Sequence, residues 1–568
     1  MSSVMTHPAA AAAAAVTVSQ DVAASKRLLL TFWVTGFCAL LVGISIGVLQ
    51  GANYAGLNLY PYLAPFLKTY YQGLTMHGVL NAFVFTFFTI SGWLIYLPSR
   101  ELQLRPNMAL GWFTYLLMLV GTLMAAYAML DNSSSVLYTF YPPLEGSPYF
   151  YLGITLVVVA SLLPLIVVLD MRARWKRAHP GQVTPLVTFM SATILLMWVL
   201  AAIGAASEAV LLLDPWSLGM TSTVNPLLAR TLFWWTGHPI VYYWLMPGYI
   251  SIYALLPRQS GGKLVSDPLA RLAFLLLMVF SVPVGTHHQY TDPGIAPVIK
   301  GVVTALTLSV AIPSLITAFT VALSLEYAGR RRGGKGLMGW WTALPWRDPS
   351  VAAQVLALVS FIFGGAGGIV NASWQLDNVV HNTLWIPAHF HLTVGTMTTL
   401  VFMGVSFWLL PHLTGRRLFA PRLALWSVWL WFVGLMVWGF AGHWAGLDGV
   451  PRRAWISALP HAQYMQLYGE VHGALIMVGI GGVIAALGAI AFFICFFGTL
   501  FGRRDEQAMH AIPFSDTITG PEGSQIARLA EHLGFWTVAT LVITLAVYIP
   551  TLWPMIMHPI HAVGFRVW

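Results

Sequence analysis

The sequence predicts an all-α fold: a polytopic membrane helical bundle of about thirteen transmembrane helices. Three observations predict it. Only 8% of the 568 residues are charged and 58% are hydrophobic, with a mean hydropathy of +0.74, a balance that soluble globular chains do not carry. Apolar stretches long enough to cross a bilayer, about 20 residues each, recur from end to end with short connections. Lys and Arg gather in every second connection, which is the footprint of membrane topology.

The elements follow in order. Residues 1–26 are alanine-rich and of low complexity, and read as a disordered cytoplasmic tail. Residues 27–568 read as one transmembrane domain. Its thirteen spans fall at 28–50, 72–97, 108–130, 149–170, 186–213, 229–256, 269–288, 298–326, 351–372, 383–411, 421–443, 468–500 and 533–556. Lys26 and Arg27 directly precede the first span and place the N-terminus in the cytoplasm. No small-residue cleavage site follows, so that span reads as an uncleaved helix. Thirteen crossings leave the C-terminus outside. The connections assigned to the inner side carry Arg100 and Arg105; Arg172, Arg174, Lys176 and Arg177; Arg258 and Lys263; Arg330, Arg331, Arg332 and Lys335; Arg416, Arg417 and Arg422; and Arg503 and Arg504. The outer connections are nearly free of Lys and Arg, apart from Arg452 and Arg453 in "VPRR". The net charge of +9 therefore reads as topology and gives no reason to expect nucleic acid. Cys38 and Cys495 both sit inside spans and supply neither a disulfide framework nor a cysteine metal site. No fixed-period repeat is visible, which weighs against a repeat-built transporter.

Ionisable groups inside spans are costly and usually functional. Of 17 histidines, six share one layer near the outer surface: His77, His238, His287, His288, His389 and His391. Neutral imidazole is the commonest metal ligand, and haem iron takes axial histidine. In "AHFHL" (388–392), His389 and His391 are i and i+2, about 200° apart on a helix, so one helix can serve two haems on opposite sides. In "GTHHQ" (285–289), His287 and His288 join His238 at similar depth, enough for a copper or zinc site with an open position. Tyr242 lies at i+4 from His238 and shares its face, and Pro239 loosens the helix between them. The rival for such a layer, a proton relay, usually includes intramembrane carboxylates, and the best of these, Glu208, has no obvious partner.

The set "TMHG", "WWTGHPIVYYW", "HHQYTDPG", "HNTLWIPAHFHL" and "VPRR" resembles subunit I of haem–copper terminal oxidases, in order and over essentially the whole chain. The resemblance implies roles residue by residue. His77 and His391 are similar to the axial ligands of a low-spin haem, expected to be haem B. His389 is similar to the proximal ligand of a high-spin haem, expected to be A-type. His238, His287 and His288 resemble the ligands of the copper called CuB, and Tyr242 resembles the tyrosine joined covalently to His238. Arg452 and Arg453 resemble the haem-propionate partners, with Asp377 and His381 nearby. Two departures point to the B-type branch, close to ba-type cytochrome c oxidases. Ile240 stands where A-type enzymes have a glutamate, and Asn382 where they have an aspartate, which puts a magnesium site in doubt. The branch's single proton path then maps to Tyr249, Tyr253, Ser266, Ser314, Thr317 and Thr320, a hydroxyl ladder that rises from the inner side to Tyr242.

The expected activity is respiratory reduction of dioxygen to water in a bacterial or archaeal cytoplasmic (inner) membrane, with proton uptake from the cytoplasm and proton pumping. The expected partners are a subunit II carrying CuA, cytochrome c as donor, membrane lipid and a small additional subunit. A quinol donor, a nitric oxide reductase and a cofactor-free transporter are the rivals. Tyr242 opposes the second, and the histidine layer opposes the third.

Overall fold

The structure is a computed structural model that describes residues 8–505 and 511–567, with side chains from Val22 onward. In lipid, every backbone N–H and C=O must be satisfied within its own segment, so apolar runs become helices. Among the described residues, twelve continuous helices are long and apolar enough to cross a membrane. They are α1 (Pro8–Tyr54), α2 (Tyr70–Glu101), α3 (Met108–Leu130), α4 (Pro148–Ala178), α5 (Leu186–Ser217), α8 (Asp267–Gln289), α9 (Pro297–Arg331), α10 (Pro349–Ala372), α11 (Trp385–Thr414), α12 (Pro421–Leu447), α13 (His472–Leu500) and α14 (Leu533–Met557).

The span expected at 229–256 is present but broken into α6 (Pro226–Gly237) and α7 (Pro239–Ala254), with His238 at the joint. Pro239 carries no N–H and cannot continue the hydrogen-bond ladder of α6. His238 keeps helical torsions, φ −85° and ψ −53°, so the two halves still run on as one crossing, the thirteenth.

Helix starts follow the sequence. Pro occupies the first turn of α4, α6, α7 and α10, where its missing N–H costs nothing. Thr69, Asn107, Asn225 and Asp348 cap free N–H groups with their side chains. The first helix is continuous from Pro8 onward, through most of the segment expected to be a disordered tail. The run Ala9–Ala15 has the highest helix propensity, and extending an existing helix avoids the cost of nucleation. Residues 1–7 lie outside the described residues.

The bundle is layered. α2, α5, α8 and α11 are mostly buried, whereas α9 and α14 expose most of their surface. α7 is buried along nearly its whole length. The histidines lie on this inner set. At one end a parallel pairing of Leu264–Ser266 with Thr517–Thr519 and a half-buried Glu531 fasten the connections. Glu531 accepts from Thr184 N at 2.7 Å, Lys176 at 3.0 Å and Arg172 at 3.1 Å.

Candidate metal centre

His238 meets two imidazoles from Val282–Gln289, the end of α8, which winds as a 3₁₀ helix. Pro283 and Gly285 permit this tight path. Gly285 approaches α6 so closely that a Cβ there would fall 1.8 Å from the Trp234 carbonyl oxygen. The three rings converge: their ligand nitrogens all lie within 4.8 Å of one another. Ring centroids are 4.4 Å apart for His238–His287, 4.2 Å for His287–His288 and 5.5 Å for His238–His288. Two neighbours fix their orientation. Thr307 Oγ1 lies 3.2 Å from His287 Nδ1, and the Trp234 indole stacks on His288 at 3.8 Å and 13°. His238 turns its Nδ1 into the cluster, 3.3 Å from His288 Nε2. Imidazole nitrogens that face one another in a buried cluster call for an explanation, and a metal ion supplies one. Three imidazoles and an open position suit copper. Tyr242 lies beside His238, with ring centroids 5.0 Å apart.

α11 divides its two histidines as their spacing predicts. His391 faces His77 with centroids 6.3 Å apart and planes within 9°. Each gives its Nδ1 to a backbone carbonyl at 2.7 Å, Pro387 O for His391 and Gly43 O for His77, which leaves Nε2 as the free ligand atom. The separation accommodates one metal ion, with two metal–nitrogen bonds of about 2 Å and half a ring at each end. A cavity of about 270 Å³ surrounds the pair, lined also by Tyr54, Trp431, Arg452 and Arg453. His389 gives its Nδ1 to Gly364 O at 2.7 Å and lies within electrostatic reach of His238 and His287. Glycines cradle both ligands. A Cβ at Gly47 would lie 2.7 Å from His77 Cε1, and one at Gly368 would lie 2.9 Å from His389 Cε1. A π-helical stretch begins three residues after His77 and three after His391, at Leu80 and Val394, and such bulges recur at functional sites.

Above the cavity, Arg452 Nε and Arg453 Nη2 are buried without partners. The Arg453 guanidinium lies over Tyr138 and Tyr141 at 5.5 and 5.7 Å, and Arg452 donates to Asn382 Oδ1 at 2.9 Å. Burial, then the Arg453 charge, pushes Arg452 down to about 10. Unpaired guanidinium donors on a cavity wall fit carboxylates such as haem propionates. Asp377 and His381 pair at 2.7 Å. Burial raises the Asp377 carboxyl, while the His381 hydrogen bond opposes that rise.

Much of the hydroxyl ladder is self-satisfied. Tyr249 is in electrostatic reach of both Tyr242 and Tyr253, and the unpaired Tyr253 hydroxyl lies beside Thr317. Ser314 and Thr317 bond their own helix, at Val310 O and Pro313 O. Ser266 caps α8 at Leu269 N, and Thr320 is buried. Sequence reasoning missed Trp234, Thr307, the glycine cradles and Trp438, which stacks on His391 at 4.0 Å. The Trp234–His238 spacing of four residues could have pointed to the first.

Residues 27–484 match the family model described as cytochrome c and quinol oxidase polypeptide I. The chain belongs to this family. It is 50% identical to cytochrome c oxidase subunit 1 of Thermus thermophilus, over 96% of this chain and 97% of that protein. The expected B-type branch fits that identity. It is 26% identical to quinol oxidase subunit 1 of Sulfolobus acidocaldarius over 74% of this chain and 80% of that one. Its structure matches a cryo-EM structure of a heme-copper terminal oxidase dimer with a TM-score of 0.91 and 36% identity, covering 96% of this chain and 95% of that one. This is the catalytic subunit I of a haem–copper oxidase, a multi-pass membrane protein whose family uses haem and copper.

Proposed function

We propose that the chain reduces dioxygen to water with electrons from a c-type cytochrome delivered through a CuA-bearing subunit II, coupled to proton uptake and pumping. The observation that carries this reading is Tyr242 beside the three-imidazole cluster, with His238 Nδ1 turned into it. His238, His287 and His288 hold copper. His77 and His391 hold a low-spin haem, haem B, and His389 holds a high-spin, A-type haem. When bound, these groups supply dioxygen binding and multi-electron reduction.

The residues of the chain do the rest. Trp234 and Thr307 hold the imidazoles in position. Tyr242 holds a proton at its phenol oxygen next to the site, and its covalent link to His238 keeps it there. Tyr249, Tyr253, Thr317 and Thr320, with Ser314 and Ser266, return that proton from the cytoplasmic side. Arg452 and Arg453 neutralise propionates, and Asp377 with His381 offers an outer-side proton acceptor. A second cavity lined by Trp234, Gly237, Ile240 and Val241 borders α5 and α6 and gives an apolar gas a water-poor approach to His238. The N-terminus lies in the cytoplasm and the C-terminus outside.

Nitric oxide reduction by a non-haem iron is the alternative. It calls for carboxylates at the metal, and the three-residue ligand cluster contains only histidine. The test is Tyr242→Phe in the purified complex. Both haem bands, carbon monoxide binding and copper content are expected to stay, with dioxygen consumption lost. Normal dioxygen consumption by that variant refutes the role of Tyr242, and iron in place of copper moves the assignment to nitric oxide.

A further inference from the structure

The connection from α9 to α10, "RGGKGLMGWWTALPWRD" (332–348), takes no part in the metal centre, yet it mixes cations, indoles and bare apolar side chains. It does not extend away from the bundle. A Cβ at Gly329 would lie 2.1 Å from Trp340 O and one at Gly334 2.6 Å from Trp340 Cα, so the chain doubles back onto the last turn of α9. Trp346 donates its indole N–H to Trp341 O at 2.8 Å, and its ring meets Trp429 at 6.1 Å. Trp429 is eight residues into α12, about 12 Å along the helix axis at 1.5 Å per residue. The connection therefore lies along the flank of a membrane-crossing helix, at the depth where tryptophan collects.

Its outermost side chains are Leu337, 86% exposed, and Met338, 63% exposed. Around them the charge is one-signed. Arg330 is neutralised by Glu326, and Asp348 uses its carboxylate to cap Ser350 N and Val351 N. Among the described residues no carboxylate lies within 4.0 Å of Arg331, Arg332, Lys335 or Arg347. Water is a poor solvent for Leu337 and Met338, and four uncompensated cations are a poor surface for a neutral partner. A phospholipid with an anionic headgroup answers both: phosphate for the cations, acyl chains for the apolar tip.

We propose that Arg331, Arg332, Lys335 and Arg347, with Leu337, Met338 and the Trp340–Trp341 pair, form a binding site for an anionic phospholipid headgroup at the membrane surface. The whole purified complex in detergent tests it, titrated with brominated phosphatidylglycerol or brominated phosphatidylcholine. The signal is the part of the tryptophan quenching that disappears in W340F/W341F. The anionic lipid is expected to reach half-quenching at a concentration at least tenfold lower than the zwitterionic one. R331Q/R332Q/K335Q/R347Q is expected to abolish that selectivity while both haem bands remain, and R331K/R332K/R347K to keep it. Equal quenching by the two lipids overturns the proposal. So does displacement of the anionic lipid by equimolar inorganic phosphate, which would mark a free-anion site. Crosslinks from this connection to a co-purifying polypeptide, with no lipid quenching, would assign the surface to a protein and also overturn it.

Discussion

Replacing Gly47 with alanine tests the assignment of His77 most sharply. A Cβ at position 47 would stand 2.7 Å from His77 Cε1 and 2.9 Å from its Nδ1, against 3.4 Å for ordinary contact. The ring or the helix must yield by about 0.7 Å. α1 is poorly placed to yield: Trp33 Nε1 ties it to Thr89 O at 3.1 Å, and Asn53 ties its other end to Ala454 O at 3.0 Å. The ring must move instead and strain its 2.7 Å bond to Gly43 O. Metal sites tolerate about 0.2 Å of error in ligand distance, so the displacement exceeds the tolerance more than threefold. The expected result is loss of the low-spin haem: the haem-to-protein ratio in a pyridine haemochrome assay falls from two to one, and the high-spin haem keeps its carbon monoxide adduct. Gly51, one turn along the same helix, is the control. A Cβ there meets nothing nearer than 3.8 Å, so Gly51→Ala is expected to keep both haems. A Gly47→Ala protein with two haems and an unchanged low-spin spectrum would refute the placement of that haem against α1.

Three further outcomes are expected. Arg453→Gln removes a half-buried cation from the cavity wall, so the low-spin haem becomes harder to reduce, by a shift on the order of 50 mV downward; a redox titration with unchanged midpoints would contradict the propionate role. Thr317→Val keeps its fold and both haem spectra but slows dioxygen consumption, because it removes the hydroxyl beside Tyr253; unchanged turnover would take Thr317 off the proton route. Burial alone would raise the Glu531 carboxyl, but hydrogen bonds from Thr184 N and Lys176 and the Arg172 charge outweigh it and hold the carboxyl below its usual value. Its folded pKa is thus below its unfolded one, so its stabilisation is complete above the unfolded value and fades as pH falls through the folded one. Glu531→Gln is expected to destabilise by about 1–2 kcal/mol at pH 7, and the gap in melting temperature is expected to shrink as pH drops below 4.5.

What the sequence revealed about the site depended on how rare each residue is in its setting. Histidine inside an apolar span carries a large desolvation cost, so six at one depth stand out without any structure, and the i, i+2 spacing of His389 and His391 already divides them between two faces. Arg452 and Arg453 were visible for the same reason, as cations on the side that topology keeps free of them. The cradles were hidden because the signal is not rare: Gly47 and Gly368 are two of 51 glycines, and only packing against His77 and His389 distinguishes them from Gly51 or Gly301, which meet almost nothing. Trp234 was hidden in a similar way, since an aromatic residue in a span is ordinary until His288 stacks on it. The break at His238 was half visible. Pro239 announces it, but the local helix would have kinked there for packing alone. What gives the break a use is a segment 50 residues away in sequence, Gly285 pressed against the Trp234 carbonyl, which brings His287 and His288 to the joint. Local patterns thus named the ligands, whereas the groups that aim them come from contacts between distant helices. Gly285→Ala follows from this. Its Cβ would overlap the Trp234 backbone, which has no flexible end to move, so copper content is expected to fall even though all three ligands remain. A variant that retained full copper would show that the three rings can converge without the close approach of α8 to α6.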